Sequence, residues 1–352
     1  MTLSNTHADF RKKLLRLMIP ISLQQLMLAL VSASDAFMLG FLNQDALSAV
    51  SLAGQVQFVY TLFLFAVTAG VSIFAAQYWG IHDQTSVEKT LGIGLSASVL
   101  LSLPFTLGAT FCPELLMRAF TSDAVLIADG AVYLQVVGIS YFLLSISQIY
   151  LCILKNCGQA VQSAVISSVS VVINIFLNAA LIFGFGIFPE MGIAGAALAT
   201  VISKAIELAW ALAIMARKDS VKIRLSFCVH PDKVLFRDFW KYTYPLLGDQ
   251  LMWGLGFTMY SVIMGHLGSD AAAANSIANI VKNLVICFCT GISTASGIMV
   301  GSLLGQGELE KAKEYGKKLT KLSVFAGAVA GAIILCVIPF TPMFSTLTDT
   351  AK

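Results

Sequence analysis

Pro20-Ile-Ser-Leu-Gln24-Gln25-Leu-Met-Leu-Ala-Leu30-Val-Ser-Ala-Ser-Asp35-Ala-Phe-Met-Leu-Gly40 returns 225 residues later as Pro245-Leu-Leu-Gly-Asp249-Gln250-Leu-Met-Trp-Gly-Leu255-Gly-Phe-Thr-Met-Tyr260-Ser-Val-Ile-Met-Gly265. Proline, Gln-Leu-Met, Leu and Gly hold their places without a gap. The match continues through Leu42/Leu267, Asp45/Asp270, Ala46/Ala271, Ala49/Ala274, Ser51/Ser276, Ala53/Ala278, Val56/Val281, Phe63/Phe288, Ile73/Ile298 and Gly80/Gly305, giving 16 identities in 61 positions. Apolar composition inflates such scores, but it does not explain the Pro, Gln, Gly and Asp matches. The chain therefore contains an internal repeat.

The surroundings of the repeat define its solvent. Of 352 residues, 57% are hydrophobic and 12% are charged, against about 25% charged in an average soluble domain. This supply cannot cover a soluble surface. A net charge of +3 is too small for a nucleic-acid footprint, and seven cysteines are too sparse for a disulfide scaffold. Charge-free runs cover 17–34, 46–82, 90–113, 130–154, 156–189, 250–269, 283–307 and 322–348. A membrane-spanning helix needs about 20 mostly apolar residues, and lipid allows only helices or closed barrels. The ten-residue alternation of a barrel is missing. Nine spans are predicted, at 17–42, 50–80, 91–112, 130–154, 159–186, 192–216, 242–267, 273–305 and 319–344. Arg11–Lys13 and the apolar run behind it have the look of a leader, but Gln24 and Gln25 interrupt that run, so it is read as the first span.

Lys and Arg set the orientation. With the N-terminus in the cytoplasm, 18 of 22 basic residues fall inside and only Arg118 and Lys352 outside, with Lys204 and Lys282 within spans. The expected location is the plasma membrane, multi-pass. Six spans separate the starts of the two copies, an even number, so the copies run parallel about an axis along the membrane normal. Transporters use this arrangement, with the site between the halves. The expected organisation is an N-terminal lobe at 1–216, a basic cytoplasmic linker at 217–241 and a partial C-terminal lobe at 242–352. Within the linker, Val234, Leu235, Phe236, Phe239 and Trp240 predict a short interfacial helix. Phe344–Asp349 align with Met117–Asp123, after which the first copy continues into its fourth span. By its own symmetry the second copy is expected to lack three helices, on the order of 100 residues.

Five motifs carry a resemblance: Asp35-Ala-Phe-Met-Leu-Gly40, Ala76-Gln-Tyr-Trp-Gly80, Ile173-Asn174-Ile-Phe-Leu-Asn178-Ala-Ala-Leu-Ile-Phe-Gly184, Gly192-Ile-Ala-Gly195-Ala-Ala-Leu-Ala-Thr200 and Gly301-Ser-Leu-Leu-Gly305. In this order, and with a six-helix repeat, the chain resembles the multidrug and toxic compound extrusion (MATE) transporters. The resemblance implies two six-helix lobes, here an all-α membrane fold with the second lobe truncated. It also implies secondary antiport of small organic cations and drugs against inward sodium or protons, with no cofactor. Membrane lipids are its surroundings, and a monomer is expected.

Ionisable residues inside spans are costly and are functional candidates by default. Asp35 lies in the outer half of span one. A charged carboxylate is expensive there, and a bound cation offsets that cost, so one carboxylate can exchange a proton or sodium for another ligand. The alternative is a helix-end carboxylate facing the headgroups. Asn174 and Asn178 are spaced i, i+4 and share one face of span five. With Thr200 they are candidate ion-coupling residues, and Asp35, Asn174 and Asn178 are possible sodium ligands; amide glue between helices is the alternative. The family often carries Asp where Asn178 stands, so this chain has one negative charge fewer there. Asp249 in span seven resembles the family's acidic cation-binding residue, with Gln24 as its repeat mate. Lys282 in span eight either snorkels or pairs with Asp249. Lys204 and Glu207 read as a local i, i+3 pair, and His266 as a surface imidazole. No motif for ATP use, zinc binding or nucleophilic catalysis is present, and an enzyme is not expected. A flippase for lipid-linked oligosaccharides, or a non-functional truncated transporter fragment, are the competing readings.

Overall fold

The computed structural model describes residues 3–42, 44–184, 188–217, 220–266 and 269–337. Every regular element among them is an α-helix: α1 (Leu3–Leu42), α2 (Gln44–Gly80), α3 (Gln84–Phe111), α4 (Pro113–Arg118), α5 (Ala124–Asn156), α6 (Ala160–Phe183), α7 (Gly192–Met215), α8 (Leu225–Val229), α9 (Lys233–His266), α10 (Ser269–Gly305) and α11 (Leu309–Val337). Eight of the described helices are long and apolar enough to cross a bilayer. The remaining long helix, α9, carries Lys241, Asp249 and Gln250 among its 34 residues. It packs on α2 and α10 as a spanning partner does. With it, the described residues hold nine long helices in register with the nine predicted spans. Residues 338–344, the end of the ninth predicted span, lie outside the described residues, as do Phe344–Asp349, Lys352 and the His266 side chain.

One expectation needs correction. Residues 233–240 are not a separate interfacial helix; they are the first turns of α9, which continues through Pro245. Proline removes one backbone donor but does not have to end a helix that tertiary packing supports. Phe239 is fully buried and Leu235 nearly so, in a core with Val71, Leu91, Ile149 and Ile153. That packing holds the start of α9 against the α2–α3–α5 wall.

The linker is pinned by charge as well. Glu88 is buried and pairs with Arg224 (2.7 Å), and its other oxygen accepts the Lys222 backbone N–H (3.3 Å). Lys89 pairs with Asp232 (3.2 Å).

Packing between the halves obeys the repeat. α1 packs on α10, and α2 packs on α9; exchanging each helix for its repeat mate turns one pair into the other. The α2–α10 contact maps onto itself and so lies on the pseudo-two-fold axis. At its basic end a Cβ on Gly80 would strike the Ser302 carbonyl, and a Cβ on Gly305 would strike the Gln77 carbonyl. These are repeat mates in both directions. Between them, a Cβ on Gly301 would stand 2.9 Å from the Cβ of its own mate, Ala76. Only glycine allows this approach, as at other small-residue helix crossings in lipid. Further contacts climb from this clasp toward mid-membrane, through Gly70 on Thr243 and Gly291 on Ser22.

Candidate functional site

The polar cluster sits where α1, α6 and α7 meet. Gly195 in the first turn of α7 lies so close to the Leu181 carbonyl that a Cβ would stand 2.5 Å from it. This crossing brings Thr200 and Ser203 of α7 beside Asn174 of α6. Asn174 is 5% exposed and Asn178 is fully buried.

The hydrogen bonds form one chain. Asn178 Nδ2 donates to Asp35 Oδ1 across the α1–α6 interface. It also donates to Asn174 Oδ1 (3.2 Å). Asn174 Nδ2 donates to Ser203 Oγ (3.4 Å) and, weakly, to Thr200 Oγ1 (3.5 Å). Thr200 and Ser203 turn their own protons back to Ala196 O and Thr200 O. Their oxygens are therefore acceptors toward the cluster. Asn178 Oδ1 is buried and has no partner among the described residues. An unpaired buried acceptor is costly, and here it stands on the same side chain that reaches Asp35. Oxygens of this kind, beside a carboxylate, are the ligands that a hard monovalent cation or a proton carrier takes.

An apolar layer closes the cluster on the side of the C-terminal end of α1. Leu39 lies one turn beyond Asp35, Ile182 one turn beyond Asn178 and Ala196 one turn before Thr200. The three pack together with Tyr133 against them. On the opposite side the polar seam continues: Ser170 Oγ donates to Ser203 O (2.9 Å), and Gln24 Nε2 donates to Ser167 Oγ (2.7 Å).

The predicted residues thus fall into two sets. Asp35, Asn174, Asn178 and Thr200 are brought together. Asp249 and Lys282 are not in that cluster, and they are not paired with each other. Asp249 is exposed on α9 and accepts from Gln250 Nε2 (3.2 Å). Lys282 Nζ lies 4.9 Å from the centroid of the Phe257 ring. That ring stacks on Trp253 (5.7 Å, 10°) and meets Phe58 of α2 at 6.1 Å. The ammonium found a π face rather than a carboxylate. Lys204 and Glu207 form the local pair read from the sequence, at 2.8 Å, and Ser147 Oγ also donates to Glu207 (2.8 Å).

Ser163, Ser167, Ser170 and Ser203, all buried, were missed. A signal existed: Ser163, Ser167, Ser170, Asn174 and Asn178 run at spacings of 4, 3, 4 and 4 along α6, one polar stripe on an apolar helix.

The profile of the MatE family matches residues 20–180 and again 245–351. The chain belongs to the MatE family. The two matched stretches begin at Pro20 and Pro245, the repeat mates that open the comparison above. It is a multi-pass membrane protein of a family of multidrug efflux transporters. Among curated relatives it is 24% identical over 308 residues to the uncharacterized transporter YisQ of Bacillus subtilis, covering 87% of this chain and 68% of that protein. It is 24% identical over 327 residues to the probable multidrug resistance protein NorM of Thermotoga maritima, covering 93% and 70%. To the NorM of Bradyrhizobium diazoefficiens it is 28% identical over 347 residues, covering 94% and 72%. Among solved structures, an outward-facing multidrug resistance MATE family transporter of the MOP superfamily superposes with a TM-score of 0.84 at 20% identity, covering 95% of this chain and 73% of that one. A MATE in complex with MaL6 gives 0.87 at 20%, covering 97% and 76%. These likenesses establish the fold.

Proposed function

We propose that this chain is a secondary antiporter that exports small organic cations in exchange for inward sodium ions or protons, by alternating access of the lobes at 1–216 and 242–352. One observation carries the reading. Asn178 holds the Asp35 carboxylate with its amide while its own carbonyl oxygen, buried and unpartnered, stands ready for a ligand. Asp35 takes up the ion from the outside, and Asn178, Asn174 and Thr200 supply neutral oxygens. Neutralising Asp35 weakens the hold on a cationic drug, which then leaves outward.

The cationic substrate is supported by the aromatic group that Trp253 and Phe257 of α9 form with Phe58 of α2. The Phe257 ring already accepts one ammonium, that of Lys282, and the adjoining Phe58 and Trp253 rings extend it into an aromatic surface on which an organic cation is favourable. Asp249, exposed nearby in sequence on α9, is a second anionic contact for such a substrate. The lipid-facing exterior, a cytoplasmic N-terminus set by the basic bias, and a monomeric transport unit complete the proposal.

Magnitudes restrict the stoichiometry. One charge moved through 100 mV is worth about 2.3 kcal/mol, and each tenfold concentration step costs about 1.4 kcal/mol. Exchanging one ion for one monovalent cation moves no net charge, so the ion gradient alone drives that version. The test is efflux of an organic cation from vesicles, with sodium and pH gradients imposed one at a time. Acceleration by one gradient supports coupling and names the ion. Efflux indifferent to both contradicts it.

A further inference from the structure

The turn that closes α2 and the turn that closes α10 are the same turn. His82 N–H donates to Trp79 O (3.1 Å), Asp83 N–H to Tyr78 O (3.0 Å) and Gln84 N–H to His82 O (3.2 Å). Gly307 N–H donates to Leu304 O (3.0 Å), Glu308 N–H to Leu303 O (3.0 Å) and Leu309 N–H to Gly307 O (2.9 Å). Every partner is its mate plus 225. The second residue after the helix takes a left-handed conformation in both, with φ 59° at His82 and 75° at Gly307. Glycine is the ordinary occupant of this position because a Cβ is strained there. The second copy uses it. The first copy keeps a histidine, the one non-glycine residue with positive φ among the described residues. A strained backbone retained in one of two otherwise equal turns points to a use for the side chain.

His82 borders a cavity of about 380 Å³ that is also lined by Lys13 and Arg16 of α1 and by Ser302 and Gln306 of α10. No carboxylate lines it. Several other basic residues at this end of the bundle are paired: Lys89 with Asp232, Arg224 with Glu88, and three lysines of α11 with glutamates. Lys13 and Arg16 have no such partner among the described residues. The symmetry is broken here as well, since Asp238 is the repeat mate of Lys13. The second copy therefore has neither the histidine nor the same charge at the matching corner.

We propose that this cavity binds a phosphate group, carried by a soluble phosphate or by an anionic phospholipid headgroup, between Lys13, Arg16 and His82. Arginine offers its planar fork to phosphate oxygens, lysine a point charge and the imidazole an N–H donor. Ser302 and Gln306 reach the same space from the other half. A bound phosphate therefore joins α1 and α2 to α10 beside the Gly80–Gly305 clasp. In the alternating-access reading, on which this consequence rests, the ligand favours the state closed at the basic face.

The experiment uses the purified full chain and reads its melting temperature. One arm titrates inorganic phosphate against chloride at matched ionic strength in neutral detergent. The other compares phosphatidylcholine nanodiscs with and without phosphatidylglycerol. The variants are Lys13→Ala/Arg16→Ala and His82→Gly, the latter copying the turn that Gly307 already makes. The expected result is a saturable rise of a few degrees in at least one arm, flattened in both variants. His82→Gly alone is expected to melt no lower than the parent without ligand. A response to free phosphate identifies a soluble anion, and a response to phosphatidylglycerol alone identifies a headgroup. No response in either arm, or a response that survives both variants, overturns the proposal.

Discussion

Asn178 of α6 donates its side-chain amide to the carboxylate of Asp35 on α1 and leaves its own carbonyl oxygen buried without a partner. This pair ties the first helix of the chain to the polar stripe of the fifth spanning helix. Asn178→Asp would set a second carboxylate against the first. Two carboxylates sharing one site do not both stay bare; they hold a proton or a cation. The half-saturating concentration of the coupling ion should then fall about tenfold, equivalent to about 1.4 kcal/mol. Ion-stimulated efflux from vesicles measures this, and an unchanged half-saturation would argue that Asn178 is only interhelical glue.

The reciprocal clasp makes a symmetric prediction. Gly80→Ala pushes a methyl into the Ser302 carbonyl, and Gly305→Ala pushes one into the Gln77 carbonyl. Overpacking of this kind costs about 1–3 kcal/mol. Because the contacts exchange under the repeat, the two losses should match within about 0.5 kcal/mol, as read by thermal unfolding in detergent. A large loss at one position and none at the other would contradict a two-fold axis through this crossing.

Glu207 and Lys204 make a structural pair, not a transport pair. Glu207 is fully buried in its side chain and Lys204 is 17% exposed. Glu207→Ala strands the ammonium and the Ser147 hydroxyl and should destabilise by a few kcal/mol, near the range for broken buried pairs. Lys204→Met/Glu207→Leu should recover most of that stability while ion-coupled efflux persists. Loss of coupling in a well-folded double variant would give the pair a role it is not assigned here.

Asp83 caps α3, accepting from the Ser86 hydroxyl (2.6 Å) and the Ser86 N–H (3.0 Å). The hydroxyl first, and then the backbone donors, hold its carboxyl below the ordinary carboxylate range. A depressed folded-state value means the charge contributes fully above the unfolded carboxyl's range. The contribution disappears as pH falls through the lower folded value. Asp83→Asn keeps a cap and should flatten only the acid end of the melting profile. Asp83→Ala should cost about 1 kcal/mol at neutral pH.

The spans and their order were legible because lipid imposes one rule on every backbone donor, and charge clusters mark each end. The repeat was legible because Pro20, Gly80 and their mates serve the same geometry twice. Asp35, Asn174 and Asn178 stood out as polar residues on apolar helices, and the structure joins them. The serines of α6 and Ser203 did not stand out. Serine is common in membrane helices as a small packing residue, so its periodicity counted for little until Asn174 lay on the same stripe. Lys282 over Phe257 was not legible, since the ring lies on another helix and no local spacing announces it. Nor was the join of residues 233–240 to the span at 242–267: the apolar residues of the basic linker read as a separate interfacial helix, and only the burial of Phe239 against α2 shows why they are the first turns of α9.

The most direct test of the coupling role is Asp35→Asn, assayed for organic-cation efflux from vesicles under the gradient that drives the parent protein, with expression and melting temperature matched. The account predicts that ion-stimulated efflux is lost while the protein remains folded. Efflux equal to the parent's, with its ion dependence intact, would contradict it.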